Sequence, residues 1–180
     1  MRLREAALDL YEERGFDQVT TAEIAVRAGL TERTFYRHFA DKREVLFDGE
    51  KTLREALVKA VAGAPGDLAP LPALLWSFRA AVPVVSGNRP FSERMRRVIA
   101  ATPALRERAQ GKSAALVEAL EGALRDRGAD ASTASLAAEI AMAVFHRAAA
   151  VWFAHPERDL DEVVRETFGR LPALVVPLAG

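Results

Sequence analysis

Residues Thr20-Thr21-Ala22-Glu23-Ile24-Ala25-Val26-Arg27-Ala28-Gly29-Leu30-Thr31-Glu32-Arg33-Thr34-Phe35-Tyr36-Arg37-His38-Phe39 hold two helix starts and one helix stop in a short span. Thr20 and Glu23 have the spacing of a capping box, in which hydroxyl and carboxylate each satisfy a backbone donor left open at a helix start. The helix so begun turns Ile24, Ala25 and Ala28 inward and stops at Gly29, where a glycine tolerates the left-handed turn that ends a helix. Thr31 then caps a second short helix reaching Phe39. Two short helices joined by Gly29-Leu30-Thr31 make a helix-turn-helix, whose second helix can enter a DNA major groove.

That second helix has two unlike sides. Leu30, Phe35 and Phe39 form its apolar stripe, while Arg33, Tyr36 and Arg37 fall at i, i+3 and i+4 on the opposite side. Guanidinium groups and a phenol there can reach phosphate oxygens, and arginine can also grip a guanine edge with two hydrogen bonds. From Arg27 to Arg43 there are five bases (Arg27, Arg33, Arg37, Lys42, Arg43) against two acids, Glu32 and Asp41. Five phosphate contacts would make binding steeply salt-dependent, and His38 lies beside them. The competing reading, an ordinary solvated face, accounts for the charge but not for the caps and the turn glycine beside it.

Working outward, Leu3, Ala6, Ala7, Leu10 and Tyr11 follow the rhythm of one helical face, and Gly15 ends that helix so that Phe16 folds back onto it. Asp41-Lys42-Arg43-Glu44 is another cap-like start, and the pattern through Val45, Leu46, Leu53, Leu57 and Val61 predicts one continuous helix from Asp41 to Val61. Gly63-Ala64-Pro65-Gly66 breaks the chain. Helices are then expected over Leu68–Val85, with Pro83 kinking or ending it, and over Pro90–Ala101, Ala104–Arg127, Ser132–His155 and Leu160–Val176. No alternating strand pattern and no internal repeat is present. The expected fold class is all-α: an N-terminal three-helix bundle carrying the helix-turn-helix over residues 1–47, joined to a C-terminal helical domain over 48–180, for which the family resemblance given below implies ligand binding and dimerisation.

Composition narrows the function. With 25 basic and 25 acidic residues in 180, the chain is neutral, so DNA binding would need a local patch. Cysteine is absent, which excludes disulfides, thiolate zinc sites and cysteine nucleophiles. The histidines are His38, His146 and His155, and no HExxH, Gly-x-Ser-x-Gly or phosphate-cradling glycine loop occurs. An enzyme is therefore not expected, nor a metal or other cofactor. No uninterrupted apolar run of about 18 residues argues for a membrane span, and Glu5 and Asp9 interrupt any secretory segment, so a cytoplasmic setting is expected.

The motif Gly15-Phe16, Thr20-Thr21-Ala22-Glu23-Ile24-Ala25, Ala28-Gly29-Leu30-Thr31, Thr34-Phe35-Tyr36-Arg37-His38-Phe39, Asp41-Lys42 and Leu46-Phe47 resembles the DNA-binding domain of TetR-family regulators. The resemblance covers roughly residues 1–50, and its most specific part is the Thr-Phe-Tyr-x-His-Phe run followed by a lysine. It implies phosphate contacts at Thr21, Thr34, Tyr36, His38 and Lys42, and base-facing positions at Glu32, Arg33 and Arg37. Lys42 would lie at the start of the fourth helix. Ala22 stands where the family often has a long polar side chain, which shifts readout toward Arg33 and Arg37. The resemblance further implies a transcriptional regulator, a ligand-responsive repressor, acting as a homodimer on a palindromic double-stranded DNA operator. The alternative is a helical small-molecule-binding or interaction module that never touches DNA.

For the second domain two expectations follow. Alanines along Ser132–His155 (Ala134, Ala137, Ala138, Ala141, Ala143, Ala148, Ala149, Ala150) allow close helix approach. With Leu160, Val163, Val164, Phe168, Leu171 and Val175 of the last helix they would form a two-fold interface, or else fill the monomer's own core. Trp76, Phe91, Met95, Met142 and Phe145, with Phe78 and Trp152, are candidate walls of a cavity for a small apolar or amphipathic ligand. Arg79, Arg96 and His146 are its candidate polar anchors, though such a stripe is equally what a plain core requires.

Overall fold

The two caps flanking the short helices form as their residues dictate. In a computed structural model that describes residues 2–174, the Thr20 side chain accepts from the Glu23 backbone N–H, and Glu23 returns the favour to the backbone of Thr20 at 2.8 Å. At the far end of that helix Gly29 takes φ +70°, letting Leu30 N–H bond back to Ala25 O at 2.8 Å and Gly29 N–H to Val26 O at 3.0 Å. These two bonds satisfy carbonyls that a helix end otherwise leaves open. Thr31 caps the next helix by accepting from Thr34 N–H.

The chain is helical throughout, with no strand among the described residues: α1 (Arg2–Arg14), α2 (Thr21–Arg27), α3 (Glu32–His38), a 3-10 turn (Glu44–Phe47), α4 (Glu50–Ala62), α5 (Pro70–Ser86), α6 (Arg89–Ala101), α7 (Pro103–Asp126), α8 (Ala131–Ala154), α9 (Leu160–Gly169) and α10 (Leu171–Leu174). Three details differ from the expected pattern. The helix predicted from Asp41 to Val61 is broken. Asp41 Oδ1 accepts from the N–H groups of Arg43 and Glu44, but the 3-10 turn that follows starts after Arg43 with no capping side chain, and Gly49 at φ +99° separates that turn from α4. Pro83 does not end α5, which runs on to Ser86. The last helix stops at Gly169 and restarts as α10, and Val175 lies outside the described residues.

Two compact units emerge. The first runs to Lys51 and resumes over Asn88–Ser113, and the second takes Thr52–Gly87 and the chain from Ala114 on. A single cut after residue 47 does not describe this division. The α6 helix and the first half of α7 join the N-terminal bundle because Phe91, Val98 and Leu105 are buried with Leu8, Ile24, Phe35 and Leu46. Charge reinforces the packing. Arg94 on α6 reaches Asp9 at 2.5 Å and Glu12 at 2.6 Å on α1, and on α7 Arg108 pairs with Glu44 while Lys112 meets Glu44 at 3.2 Å and Glu50 at 3.0 Å.

In the second unit α5, α8 and α9 pack together around Phe78, which stacks on Phe145 with centroids 4.5 Å apart. Arg127 closes the end of α4, donating to the carbonyls of Val61, Ala64 and Pro65 at 2.7–3.1 Å. By length and mean hydropathy α8 is apolar enough to cross a membrane, a match that counting uninterrupted runs passes over because Glu139 and Arg147 interrupt it. Its Ala134, Ala137, Ala138, Ala141 and Met142 side is nonetheless buried in this unit's own core, as in the central helix of a bundle.

Candidate nucleic-acid interface

Phe35 is the anchor of α3. It is completely buried, with Leu30 and Phe39 packed beside it against the same core. Burying such a ring contributes about 1.5–3 kcal/mol and fixes the rotation of the helix about its axis. With Phe35 inward, Arg33, Tyr36 and Arg37 face solvent, Tyr36 at 55% exposure.

The charges of the expected basic patch are not equivalent. Arg27 makes a two-pronged pair with Glu13 of α1, at 2.9 and 2.7 Å. Arg43 grips Asp41 at 2.6 and 3.1 Å, which holds the Asp41 carboxyl below its ordinary range. Lys42 departs most from expectation. It precedes a 3-10 turn rather than heading an α-helix, and its ammonium donates to Phe16 O at 2.8 Å, Val19 O at 2.9 Å and Asp17 O at 3.4 Å while lying 4.4 Å above the Phe16 ring. All three of its hydrogens are thus turned into the bundle. That leaves Arg33 and Arg37 with no partner among the described residues, so the five expected phosphate contacts reduce to two open guanidinium groups.

Hydroxyls at the interface also have internal partners. The Thr21 hydroxyl donates to Glu32 Oε1 at 2.6 Å and lies 3.1 Å from the Tyr36 hydroxyl, tying α2 to both turns of α3. Thr34 Oγ1 lies 3.0 Å from Thr31 Oγ1. His38 is exposed at the end of α3, on the edge of a cleft of about 700 Å³ whose walls include Phe39, Phe47, Glu44, Arg108 and Lys112. Arg14 bonds Glu23 at 2.7 Å, and with the Thr20 backbone and hydroxyl it pulls the Glu23 carboxyl down to about 2.

Residues 3–48 match the family described as bacterial regulatory proteins, tetR family. That match takes in about a quarter of the chain. Over an aligned length of 129 residues, the match covering 64% of this chain but only 57% of the relative, the sequence is 30% identical to the HTH-type transcriptional regulator TcmR of Streptomyces glaucescens. Among solved structures, FadR of Thermus thermophilus, a repressor in complex with lauroyl-CoA, is 24% identical with a TM-score of 0.59, the match covering 99% of this chain and 98% of that one. SmeT in complex with triclosan is 22% identical with a TM-score of 0.60, covering 99% and 97%. SmeT is the repressor of a Stenotrophomonas maltophilia multidrug efflux pump. A putative TetR-family regulator from Syntrophomonas wolfei reaches a TM-score of 0.67 at 17% identity, covering 99% and 95%. At these identities the structural matches speak for the fold.

The residues expected to line an effector cavity do not all belong to one unit. Phe91 is core of the first unit, with the Arg4 guanidinium 4.5 Å above its ring, and Met95 packs beside that core. Arg96 is exposed on the same helix. In the second unit Met142 is buried, Phe145 stacks on Phe78, and Arg79 is bound to Asp161 at 2.6 Å, which holds that carboxyl below its usual range. Trp76 is 47% exposed, and His146 lies at the surface of α8, where partial desolvation lowers its pKa. None of them lines the 700 Å³ cleft or the 560 Å³ cleft beside Tyr11 and Val98. Among the described residues no group of three or more histidines and carboxylates could hold a metal ion.

The expected dimer face divides in the same way. Ala134, Ala137, Ala138, Ala141 and Ala148 of α8 and Leu160, Val163, Val164 and Phe168 of α9 are core of their own unit. Leu136 and Ala143 of α8 remain exposed, with Ile140 and Val144 half-buried between them, an outer apolar strip the alanine count had not separated from the inner one.

Proposed function

We propose that this chain is a sequence-specific DNA-binding transcriptional regulator in which α3 enters the major groove and Arg33 and Arg37 supply the guanidinium contacts. The observation that carries this reading is the pair of exposed arginines, without a partner among the described residues, held outward by fully buried Phe35. Thr34 and His38 flank them as candidate phosphate contacts. The operator is a palindromic duplex read by a homodimer, whose half-sites would lie about 34–36 Å apart or a multiple of that. Two copies of the outer α8 strip, Leu136, Ile140, Ala143 and Val144, with the outer side of α9, form the two-fold contact. The setting is cytoplasmic.

The regulator acts as a ligand-responsive repressor. FadR is in complex with lauroyl-CoA and SmeT with triclosan, and a small apolar or amphipathic effector of this chain is proposed by analogy. The α4 and α7 helices each run from one compact unit into the other, giving a bound effector a covalent route to the Glu44, Glu50, Arg108 and Lys112 cluster. The effector must bind the DNA-competent and incompetent forms differently to shift their balance.

The test is a gel-shift titration of the full chain over a range of salt. Specific binding that weakens steeply with salt, with Arg37→Ala costing about 1–3 kcal/mol, supports the reading. Undiminished affinity after replacing both Arg33 and Arg37 refutes it.

A further inference from the structure

The hydroxyl of Thr21 has one hydrogen, and it goes to Glu32 Oε1 at 2.6 Å. The Tyr36 hydroxyl, 3.1 Å from the same Thr21 oxygen, is then left as the donor of that second bond. Hydrogens run from Tyr36 to Thr21 to Glu32, and the chain ends on a carboxylate that can only accept. Neither hydroxyl retains a hydrogen for a phosphate. Two groups that could strengthen non-specific binding are instead used to aim an anion.

A carboxylate beside a duplex is repelled by the phosphates, so its presence at the first turn of α3 calls for a donor on the DNA side. Glu32 is exposed, and its second oxygen, Oε2, has no tie among the described residues. In the major groove guanine offers only acceptors at N7 and O6, and thymine an acceptor and a methyl group. Adenine offers an amino group, but with the N7 acceptor beside it, which repels a carboxylate. Cytosine offers its N4 amino group as a donor with no acceptor on its own edge.

We propose that Glu32 is the cytosine-reading residue of this interface and that Thr21 and Tyr36 are positioning residues that hold its carboxylate. This rests on the reading of α3 as a major-groove helix. Arg33 and Arg37 beside it suit guanine, so the half-site contains a cytosine whose identity depends on Glu32 alone.

The experiment selects bound duplexes from a random-sequence library with the full-length protein. Affinity is then measured on the selected site and on versions altered at each base. The wild type should require a cytosine, with any other base there weakening binding about 5- to 100-fold, the range of a mismatched base pair. Glu32→Gln should move the preference at that one position from cytosine to adenine, since an amide can both donate and accept. Thr21→Val and Tyr36→Phe should relax the preference for cytosine while leaving affinity for unrelated duplex unchanged, and Thr21→Ser should keep the preference. A merely structural role would lower affinity for all sites alike and leave base preference where it was.

A selected site with no base position sensitive to Glu32→Gln overturns the proposal. So does a loss of affinity in Thr21→Val or Tyr36→Phe that is equal on the selected site and on unrelated duplex, the mark of a lost phosphate contact. A wild-type protein that selects no site at all overturns the DNA-binding reading itself, an outcome distinct from both.

Discussion

The phenolic hydroxyl of Tyr11 donates to the backbone carbonyl of Lys42 at 2.6 Å, joining α1 to a residue 31 positions along the chain. Tyr11 is buried, its ring meets Phe16 edge-on at 5.1 Å, and burial, with Asp41 nearby, pushes its phenol well above the ordinary value, so the O–H stays a donor at any working pH. Tyr11→Phe keeps the ring and leaves the Lys42 carbonyl without this partner. The expected loss is about 1–3 kcal/mol of unfolding free energy, measured by urea titration. An unchanged midpoint would mean water takes over the bond without cost.

Lys42 completes the clasp from the other side, its ammonium on the carbonyls of the loop after α1. Lys42→Met retains the apolar stem and removes the hydrogen bonds. Stability should fall by about 1.5–3 kcal/mol, the range for hydrogen bonds to a charged group. Operator binding, measured on folded protein, should keep its slope against salt. A slope reduced by about 0.9 would identify a phosphate contact instead.

Acid should loosen the start of α2 late. Glu23 is depressed to about 2 by Arg14 first and by the Thr20 backbone and hydroxyl after it, against an ordinary value of 4.5. A depressed carboxylate contributes its stability in full above the unfolded value and loses it as pH falls through the folded one. The Glu23 contribution is therefore present above pH 4.5 and drains away toward pH about 2. Glu23→Gln should be less stable than wild type at pH 7, with the gap closing over that window in circular-dichroism melts. A gap that stays constant from pH 7 to 2 contradicts this assignment.

The outer strip of α8 offers a test of assembly. Leu136 is 59% exposed, and Ala143, two turns along, is exposed as well. Leu136→Glu with Ala143→Glu places charges outside the core, so the helical signal should survive while sedimentation shifts from dimer to monomer and operator affinity collapses. A dimer that persists puts the two-fold contact elsewhere.

The local grammar of the first fifty residues was legible without coordinates. Thr20, Glu23, Gly29 and Thr31 act through bonds spanning three to five residues, and Phe35 lies opposite Arg33 and Arg37 by helical period alone, so the helix-turn-helix could be read directly. The Asp41–Val61 region shows where that grammar stops. Asp41 does bond back to the following backbone and the apolar rhythm beyond it is real, yet whether Gly49 continues a helix or breaks it depends on what the flanking turn must reach. Here the flanks, Glu44 and Glu50, face Arg108 and Lys112 more than 60 residues away.

Taken alone, the amino-acid order settled what depends on neighbours along the chain: the helical character of the described residues, the helix-turn-helix, and which side of its second helix is apolar. Only the tertiary structure decided which charges are free. Arg27, Arg33, Arg37, Lys42 and Arg43 look alike in one dimension, but Glu13, the carbonyls after α1, and Asp41 claim three of them and leave Arg33 and Arg37 open. The reason is geometric. A helix period tells which way a side chain points, whereas the partner it meets there is brought by another segment whose approach no local pattern encodes.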